Sequence, residues 1–264
     1  MHLRTGFHQG ALRFSRLLFG IALGFAAGGA WADNLPQTIE KIKPSIVGVG
    51  TFEQTRRPPA AFRGTGFVVA DGRHVITNAH VLPALLDNEA REILGVFVGQ
   101  GEAAQFRSAK PVAVDEEHDL ALLEIVGAPV AAVTVGDSDG VREGQQVSFI
   151  GFPIGTVLGL YPVTHRATIS AITPIVIPAQ ASSQLSIKMI KRIRAPLRVF
   201  QLDGTAYPGN SGSPLFDPET GAVLGIINMV FVKGTKETAL TAPSGISYAI
   251  PGKYIEGLLK RAGL

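Results

Sequence analysis

The sequence predicts an all-β fold, and three observations support this. Short runs rich in Val, Ile, Phe and Thr recur between residues 45 and 250, with Gly, Pro and Asp turns between them. Their spacing is that expected of a β-sandwich or β-barrel. Helical periodicity is confined to the two ends of this region. The candidate strands are residues 45–52, 64–70, 74–79, 94–99, 120–126, 146–151, 164–172, 198–203, 222–232 and 245–250.

Two short helices are predicted to flank the strands. Residues 35–45 place apolar side chains at helical spacing, and Pro44 should end this helix because proline cannot continue it. Residues 252–262 follow Pro251, carry basic residues in their last turn and stop at Gly263. These are the usual start and stop signals of a helix.

Residues 1–32 have the pattern of a secretory signal peptide. Two arginines precede an apolar run over residues 17–30, and a small-x-small motif ends at Ala32. The run is shorter than the roughly 20 residues of a membrane-spanning helix. We expect cleavage after Ala32, no stable membrane span in residues 33–264, and a periplasmic or secreted location. An uncleaved membrane anchor is the alternative.

Composition excludes several kinds of site. The chain has no cysteine, which rules out disulfides, thiolate metal sites and cysteine nucleophiles. Without the three arginines of residues 1–32, the 24 Lys and Arg residues become 21, equal to the 21 Asp and Glu residues. A formally neutral chain gives no argument for a nucleic-acid partner. Residues 33–264 suffice for one large or two small hydrophobic cores.

The stretch GTAYPGNSGSPLF, residues 204–216, suggests a nucleophile. Ser211 lies between Gly209 and Gly212, just before an apolar strand. Glycine permits a positive φ or a close approach of the backbone to a ligand. A serine on such a turn can attack a carbonyl carbon while nearby backbone N–H groups bind the oxyanion. A tight turn with a polar tip is the structural alternative.

A serine nucleophile needs a base and an acid that orients the base. His80 closes the candidate strand 74–79 on a turn of small residues, and Asp119 opens the strand 120–126. Taken singly, each residue has a structural alternative. His80 could be a histidine whose hydrogen bonds are all made within the fold, and Asp119 could be a solvated carboxylate at a strand edge. Taken together, the order His80, Asp119, Ser211 is that of the chymotrypsin-type triad.

An α/β-hydrolase is disfavoured by the same residues. It would arrange its triad in the order Ser, acid, His and would hold its nucleophile within G-x-S-x-G. Here Ser213 occupies the position of the last glycine, and the candidate elements show no βαβ alternation. An acyl hydrolase built on a β-barrel remains an alternative to a protease.

Four segments resemble the signature blocks of the trypsin-like (S1 family) serine proteases: GTGFVV, VITNAHV, HDLALLEI and PGNSGSPLF. They are most similar to the bacterial exported HtrA/Deg-type branch, and the resemblance covers roughly residues 35–262. It implies two six-stranded antiparallel β-barrels of the chymotrypsin type, over roughly residues 33–135 and 136–250, and then the helix at 252–262. The triad would lie in the cleft between the barrels.

The resemblance also assigns roles to residues. His80 matches the general base, Asp119 its orienting partner and Ser211 the nucleophile. The backbone N–H groups of Gly209 and Ser211 match the oxyanion hole. The family implies an exported serine endopeptidase that forms an acyl-enzyme and acts on protein or peptide substrates, here unfolded or damaged proteins. A protease-like binding or scaffold protein with a latent or inactive site is the alternative.

Side-chain preference is inferred from motif position alone. Thr205 should lie at the bottom of the primary specificity pocket, and Ile226 to Asn228 should form a wall. Without a carboxylate at its base, this pocket should favour small or medium aliphatic side chains, although Asp203 lies two residues before Thr205. We expect a broad preference, because one methylene in such a pocket is worth only about 1–3 kcal/mol.

The chain departs from the family pattern at several positions. Digestive members of the family use an aspartate at the position of Asn210 to bind a newly cut amino terminus. We therefore do not expect activation by such a salt bridge in this chain. The HtrA-type branch also has Asn at this position. Ser213 replaces a glycine and should crowd the floor of the site. The chain ends soon after residue 262, so no PDZ domain is expected. For the long basic tract 182–198 we expect a solvated loop, with shielding of the cleft or binding of acidic surfaces as alternatives.

Neither a metal nor a nucleotide cofactor is expected. The histidines lack the spacing of a ligand cluster, and no phosphate-binding glycine motif is present. Members of the resembled family often trimerise, and the sequence leaves a homo-oligomer open without establishing one.

Overall fold

The computed structural model describes residues 34–155, 159–175, 197–228 and 245–264. All of them belong to the second of the two units into which the chain divides, Asp33–Leu264. The predicted signal peptide lies outside the described residues. So does the basic tract 182–198, except for its last two residues.

The first barrel is closed by six antiparallel strands in the order β1-β2-β3-β6-β5-β4. Its interior is filled mainly by β-branched and leucine side chains, which suit a pleated surface that is buried on one face. The strands are β1 (Ile46–Phe52), β2 (Ala60–Val69), β3 (His74–Thr77), β4 (Ile93–Val98), β5 (Gln105–Asp115) and β6 (Leu120–Ile125).

The second barrel is closed in the order β10-β11-β12-β9-β8-β7. Its interior contains two large aromatic side chains, Phe149 and Phe200, among aliphatic ones. The strands are β7 (Gln146–Gly151), β8 (Val163–Ile175), β9 (Leu197–Leu202), β10 (Pro214–Phe216), β11 (Val223–Ile227) and β12 (Ser247–Pro251).

A third cluster of buried side chains joins the two barrels. It combines residues of both barrels with residues of the helices α1 (Leu35–Ile42) and α2 (Gly252–Ala262). Gly263 ends α2 in the left-handed conformation, where its N–H bonds carbonyls of the last turn. The predicted pair of six-stranded barrels with a short C-terminal helix is therefore confirmed. In the described ranges, no helix has the length and apolarity needed to cross a membrane.

Two strands are absent from the ten candidate ranges, although the apolar run after Ser211 already indicates the second of them. Strand β5 is half exposed along much of its length, contains Lys110 and Pro111, and has a bulge between Pro111 and Ala113, so it lacks a regular apolar pattern. Strand β10 has only three residues, too few for periodicity. At the amino-terminal end, α1 stops at Ile42, and a 3₁₀ turn over Lys43–Ser45 completes the predicted helix.

The core between the barrels should dominate stability. Phe216 is fully buried in it, so Phe216→Ala should reduce the free energy of unfolding by about 3–5 kcal/mol. Urea denaturation measures this change. The control is Leu85→Ala, because the Leu85 side chain is 88% exposed and its loss should cost little. Equal losses in the two variants would contradict this assignment of the core.

Candidate active site

His80 lies directly after β3, in a single 3₁₀ turn over Ala79–Val81. Two hydrogen bonds attach this turn to the start of β6. The Ala79 N–H and the Asn78 side-chain amide both donate to the main-chain oxygen of Asp119, at 3.1 and 3.0 Å. The ends of two adjacent strands are thus joined, which sets the imidazole and the carboxylate side by side.

The Asp119 carboxylate accepts three N–H groups. Its Oδ1 accepts the His80 backbone N–H at 2.9 Å, and its Oδ2 lies 2.6 Å from both His80 Nδ1 and Asn228 Nδ2. A carboxylate can only accept, so His80 Nδ1 carries the proton and Nε2 of the neutral ring is an acceptor. Asp119 has a φ of +53°, a left-handed conformation that few non-glycine residues adopt. Its neighbours must therefore hold it in place.

A cluster of side chains in the segment before Asp119 ties that segment to α2. His118 donates from its backbone N–H and Nδ1 to Asp115, and its ring stacks on Tyr254 with centroids 4.2 Å apart. Arg261 donates to the same carboxylate at 2.6 Å. Burial raises the pKa of the Asp115 carboxyl, but the His118 and Arg261 contacts outweigh it and bring the pKa below its usual value. The helix thus anchors the segment that presents Asp119.

Ser211 comes from the second barrel, in the loop before β10. Its Oγ lies 3.0 Å from His80 Nε2, which completes a chain of hydrogen bonds from Ser211 through His80 to Asp119. Both nearby glycines have positive φ, +101° at Gly209 and +89° at Gly212. A Cβ on Gly212 would lie 1.9 Å from the Thr65 carbonyl oxygen. The glycine after the serine is therefore required by close contact between the barrels.

Residues 207–210 form the turn beside Ser211. The Asn210 N–H donates to the Tyr207 carbonyl at 2.9 Å. Pro208 occupies the second position of the turn, and Gly209, with its positive φ, occupies the third. This pattern is typical of a type II turn. The Pro208 carbonyl accepts the Ile154 N–H at 2.7 Å. A trans peptide directs its N–H opposite to its C=O, so the Gly209 N–H points away from Ile154.

The N–H groups of Gly209 and Ser211 have no acceptor among the described residues. The carbonyls around them are occupied: Pro208 by Ile154, Asn210 by the Ser213 N–H, and Ser211 by the Thr65 N–H. Two N–H donors beside Ser211 are thus left available, while the neighbouring carbonyl acceptors are bonded to other groups.

Thr65 of β2 fastens this loop to the first barrel. Its N–H donates to the Ser211 carbonyl at 2.8 Å, and its Oγ1 donates to the Gly209 carbonyl at 2.7 Å and accepts the Phe152 N–H at 3.0 Å. Its own carbonyl accepts the Thr77 hydroxyl at 2.7 Å. Sequence reasoning missed this role. The available signal was a threonine between two glycines in the GTGFVV block.

The predicted pocket residues have different surroundings. Thr205 is half-buried and follows β9, and its place at the bottom of a pocket stays a prediction. The Ile226 side chain is fully buried in the core between the barrels, and the Asn228 amide is fully buried against Asp119. Packing and a hydrogen bond thus engage these two side chains within the fold, and their place in a pocket wall stays a prediction. Asp203 is exposed, and its Oδ1 accepts the Thr168 N–H at 2.6 Å.

The two departures from the family motif are both fully buried. The Asn210 amide and the Ser213 hydroxyl have no hydrogen-bond partner among the described residues. The Ser213 hydroxyl occupies the space beside Gly151, where a Cβ would lie 1.9 Å from its Oγ. A glycine in the neighbouring strand thus relieves the crowding expected from Ser213. In the described part of the chain, no three His, Asp or Glu residues are grouped so as to hold a metal ion.

The trypsin-like peptidase domain model matches residues 64–226. This chain belongs to that family. It is 30% identical over 188 residues to a probable periplasmic serine endoprotease DegP-like of Halomonas elongata, covering 71% of this chain and 32% of the relative. The DegP-like protein of Chlamydia trachomatis is 32% identical over 77% of this chain and 35% of its own length. The chain thus spans about a third of the length of these relatives.

Solved structures agree in fold. The HtrA-type protease AlgW with a tripeptide superposes with a TM-score of 0.60 at 24% identity, covering 86% of this chain and 62% of AlgW. The complex of AlgW with a decapeptide gives a TM-score of 0.62 at 23% identity, over 86% and 67% of the two chains. The predicted resemblance to the trypsin-like family and its HtrA/Deg-type branch is confirmed.

A histidine outside the triad should make stability depend on pH. His165 stacks on Phe149 with ring centroids 4.6 Å apart, and its Nε2 is buried with no partner among the described residues. Burial lowers the pKa of His165 below its usual value near 6.5. As pH falls below about 6.5, the unfolded state therefore takes up this proton first, and the free energy of unfolding decreases.

We expect His165→Phe to remove this component of the acid sensitivity. Urea denaturation of the wild type and the variant between pH 8 and pH 5 measures the difference, with the value at pH 8 as the reference. The free energy of unfolding of the variant minus that of the wild type should increase as pH falls. A difference that stays constant across this range would contradict the buried neutral histidine.

Proposed function

We propose that this protein is an exported serine endopeptidase that cleaves peptide bonds through an acyl-enzyme on Ser211. The observation that carries the proposal is the continuous hydrogen-bonded path from Ser211 Oγ to His80 Nε2, and from His80 Nδ1 to Asp119. The serine hydroxyl has its base within reach, and the base has its orienting carboxylate, as nucleophilic catalysis requires.

In acylation, Ser211 Oγ attacks the carbonyl carbon of the scissile bond while His80 Nε2 takes its proton. Asp119 stabilises the imidazolium that forms and remains ionised. The developing oxyanion accepts hydrogen bonds from the N–H groups of Gly209 and Ser211. Loss of one such donor typically raises the activation barrier by about 2.7–4 kcal/mol. The C–N bond then breaks, and His80 gives its proton to the leaving amine.

Deacylation repeats these steps with water as the nucleophile. His80 takes a proton from the water as its oxygen attacks the ester carbon. The same two N–H groups bind the second oxyanion. The bond to Ser211 Oγ breaks, His80 returns the proton to the serine, and the carboxylic acid product leaves.

Asn228 serves as a positioning residue in this scheme. Its amide donates to Asp119 Oδ2, the oxygen that also faces His80 Nδ1. This contact from the second barrel keeps the carboxylate in the rotamer that points at the imidazole. The imidazole is in turn directed at Ser211.

Two features support an exported location and a broad choice of side chains, and unfolded or damaged proteins would present such side chains to the site. Residues 1–32 carry the pattern of a signal peptide, and the DegP-like relatives are named as periplasmic endoproteases. Thr205 supplies no carboxylate for a basic side chain, and Asp203 is bound to the β8 backbone. A pocket of this kind takes aliphatic side chains with little discrimination.

Labelling with a fluorophosphonate tests the proposal on the exported protein purified after expression of the full chain. The reagent should modify Ser211, as located by peptide mapping, and His80→Ala should abolish the reaction because the serine then lacks its base. Ser213→Ala is the matched control and should retain labelling at Ser211. Cleavage of casein, lost in Ser211→Ala, separates a protease from an acyl hydrolase that accepts only esters.

Two results of these experiments would contradict the proposal. A folded protein that is not labelled at Ser211 and does not cleave casein is not a protease under these conditions. It would instead fit the alternative of a protease-like binding or scaffold protein. Labelling that persists in His80→Ala would contradict the assigned base.

A further inference from the structure

Arg63 occupies the extra position of a β-bulge at the edge of the cleft. Along the β1–β2 ladder, Val49 pairs with Gly64 and Gly50 pairs with Phe62, so Arg63 has no partner on β1. A bulge bends its strand and redirects a side chain, and bulges are frequent beside active sites. The regular alternation of β2 therefore does not decide where Arg63 points.

The residues on either side of Arg63 lie against the Ser211 loop. A Cβ on Gly64 would be 3.0 Å from the Ser211 carbonyl oxygen, and a Cβ on Gly209 would be 3.1 Å from the Phe62 ring. The bulge thus passes beside both the nucleophile and the turn that offers the oxyanion donors.

The guanidinium is fixed next to the catalytic histidine. Arg63 Nε donates to the Val81 carbonyl at 2.7 Å, and Nη2 donates to the Leu82 carbonyl at 3.4 Å. These two carbonyls belong to the first and second residues after His80. The side chain is exposed, Nη1 bonds no acceptor among the described residues, and no described carboxylate lies within 4 Å of the group. A fixed cation with free N–H donors therefore borders the cleft.

The position of His80 says which part of a substrate would meet this cation. In the proposed mechanism His80 protonates the leaving amine, so the chain that follows the scissile bond departs on the side of His80. Arg63 bonds the carbonyls of the two residues that follow His80, so its guanidinium is held beside the segment that carries the base. An extended peptide advances about 3.3 Å per residue, so its first two residues after the bond pass within reach of an arginine side chain.

We propose that Arg63 is a specificity-determining residue that favours an acidic side chain at the first or second position after the cleaved bond. The inference rests on the proposed function and adds a charge preference to it. Guanidinium groups suit carboxylates because their N–H donors are planar and match the two oxygens. The substrate class is thus a polypeptide with an apolar residue before the bond and Asp or Glu shortly after it.

Matched fluorogenic peptides test the preference. They differ only at the second residue after the bond, which is Glu, Gln or Lys, and a second set varies the first residue in the same way. In at least one set, kcat/KM for Glu should exceed that for Gln by about three- to fivefold, the upper part of the range of an exposed ion pair, and kcat/KM for Lys should fall below that for Gln. The advantage of Glu should shrink at high salt.

Arg63→Gln should bring the ratio of kcat/KM for the Glu peptide to that for the Gln peptide to about one. Arg63→Lys should retain part of the preference for Glu. The control is Arg57→Gln, because Arg57 is an exposed arginine that bonds only carbonyls of its own loop. That variant should keep the wild-type ratio.

Three outcomes would overturn the inference. The wild type could cleave Glu and Gln peptides alike in both sets, or the ratio could survive Arg63→Gln. Alternatively, Arg63→Gln could lower kcat/KM for all peptides by the same factor, which would mean that the guanidinium only supports the segment after His80. Failure of the proposed function is distinguishable, because Ser211 would then not be acylated and no peptide would be cleaved.

Discussion

The hydrogen bonds of one buried threonine hold the candidate site together. Thr65 is a strand residue of the first barrel, yet its backbone N–H and hydroxyl both donate to the Ser211 loop of the second. The same hydroxyl accepts a backbone N–H from Phe152, so it joins two separate segments of the second barrel. No Cβ would fit at Gly212, which shows how closely the two backbones approach. This contact fixes the separation of the barrels at the point where chemistry would occur.

The proposed triad is divided between the two barrels, which makes this contact decisive. His80 and Asp119 are held to each other by the backbone of the first barrel, whereas Ser211 belongs to the second. The 3.0 Å contact between Ser211 Oγ and His80 Nε2 crosses between the barrels, and so does the Asn228 contact with Asp119. A shift of one barrel by about 1 Å would break a near-attack geometry, and such misplacement can reduce a rate by roughly a hundredfold.

The sequence predicted the parts of this arrangement that depend on local pattern. His80 and Asp119 stand at strand ends, and Ser211 stands in a glycine-rich turn, so each could be located from its neighbours. The parts it missed depend on contacts between distant segments. Asn228 directly follows β11, and nothing nearby in the sequence indicates that its amide meets an aspartate more than a hundred residues away. The sequence also did not show that the Ile226 side chain packs in the core between the barrels.

In this arrangement Thr65 builds the candidate site and does more than stabilise the fold. The direct measurement is the rate at which a fluorophosphonate acylates Ser211 in Thr65→Ser and Thr65→Val, with folding of both checked by thermal unfolding. Serine keeps the hydroxyl, so its rate should stay near that of the wild type. Valine has a similar shape but no hydroxyl, and its rate should fall by about tenfold to a hundredfold. A folded Thr65→Val protein that is acylated at the wild-type rate would contradict the claim.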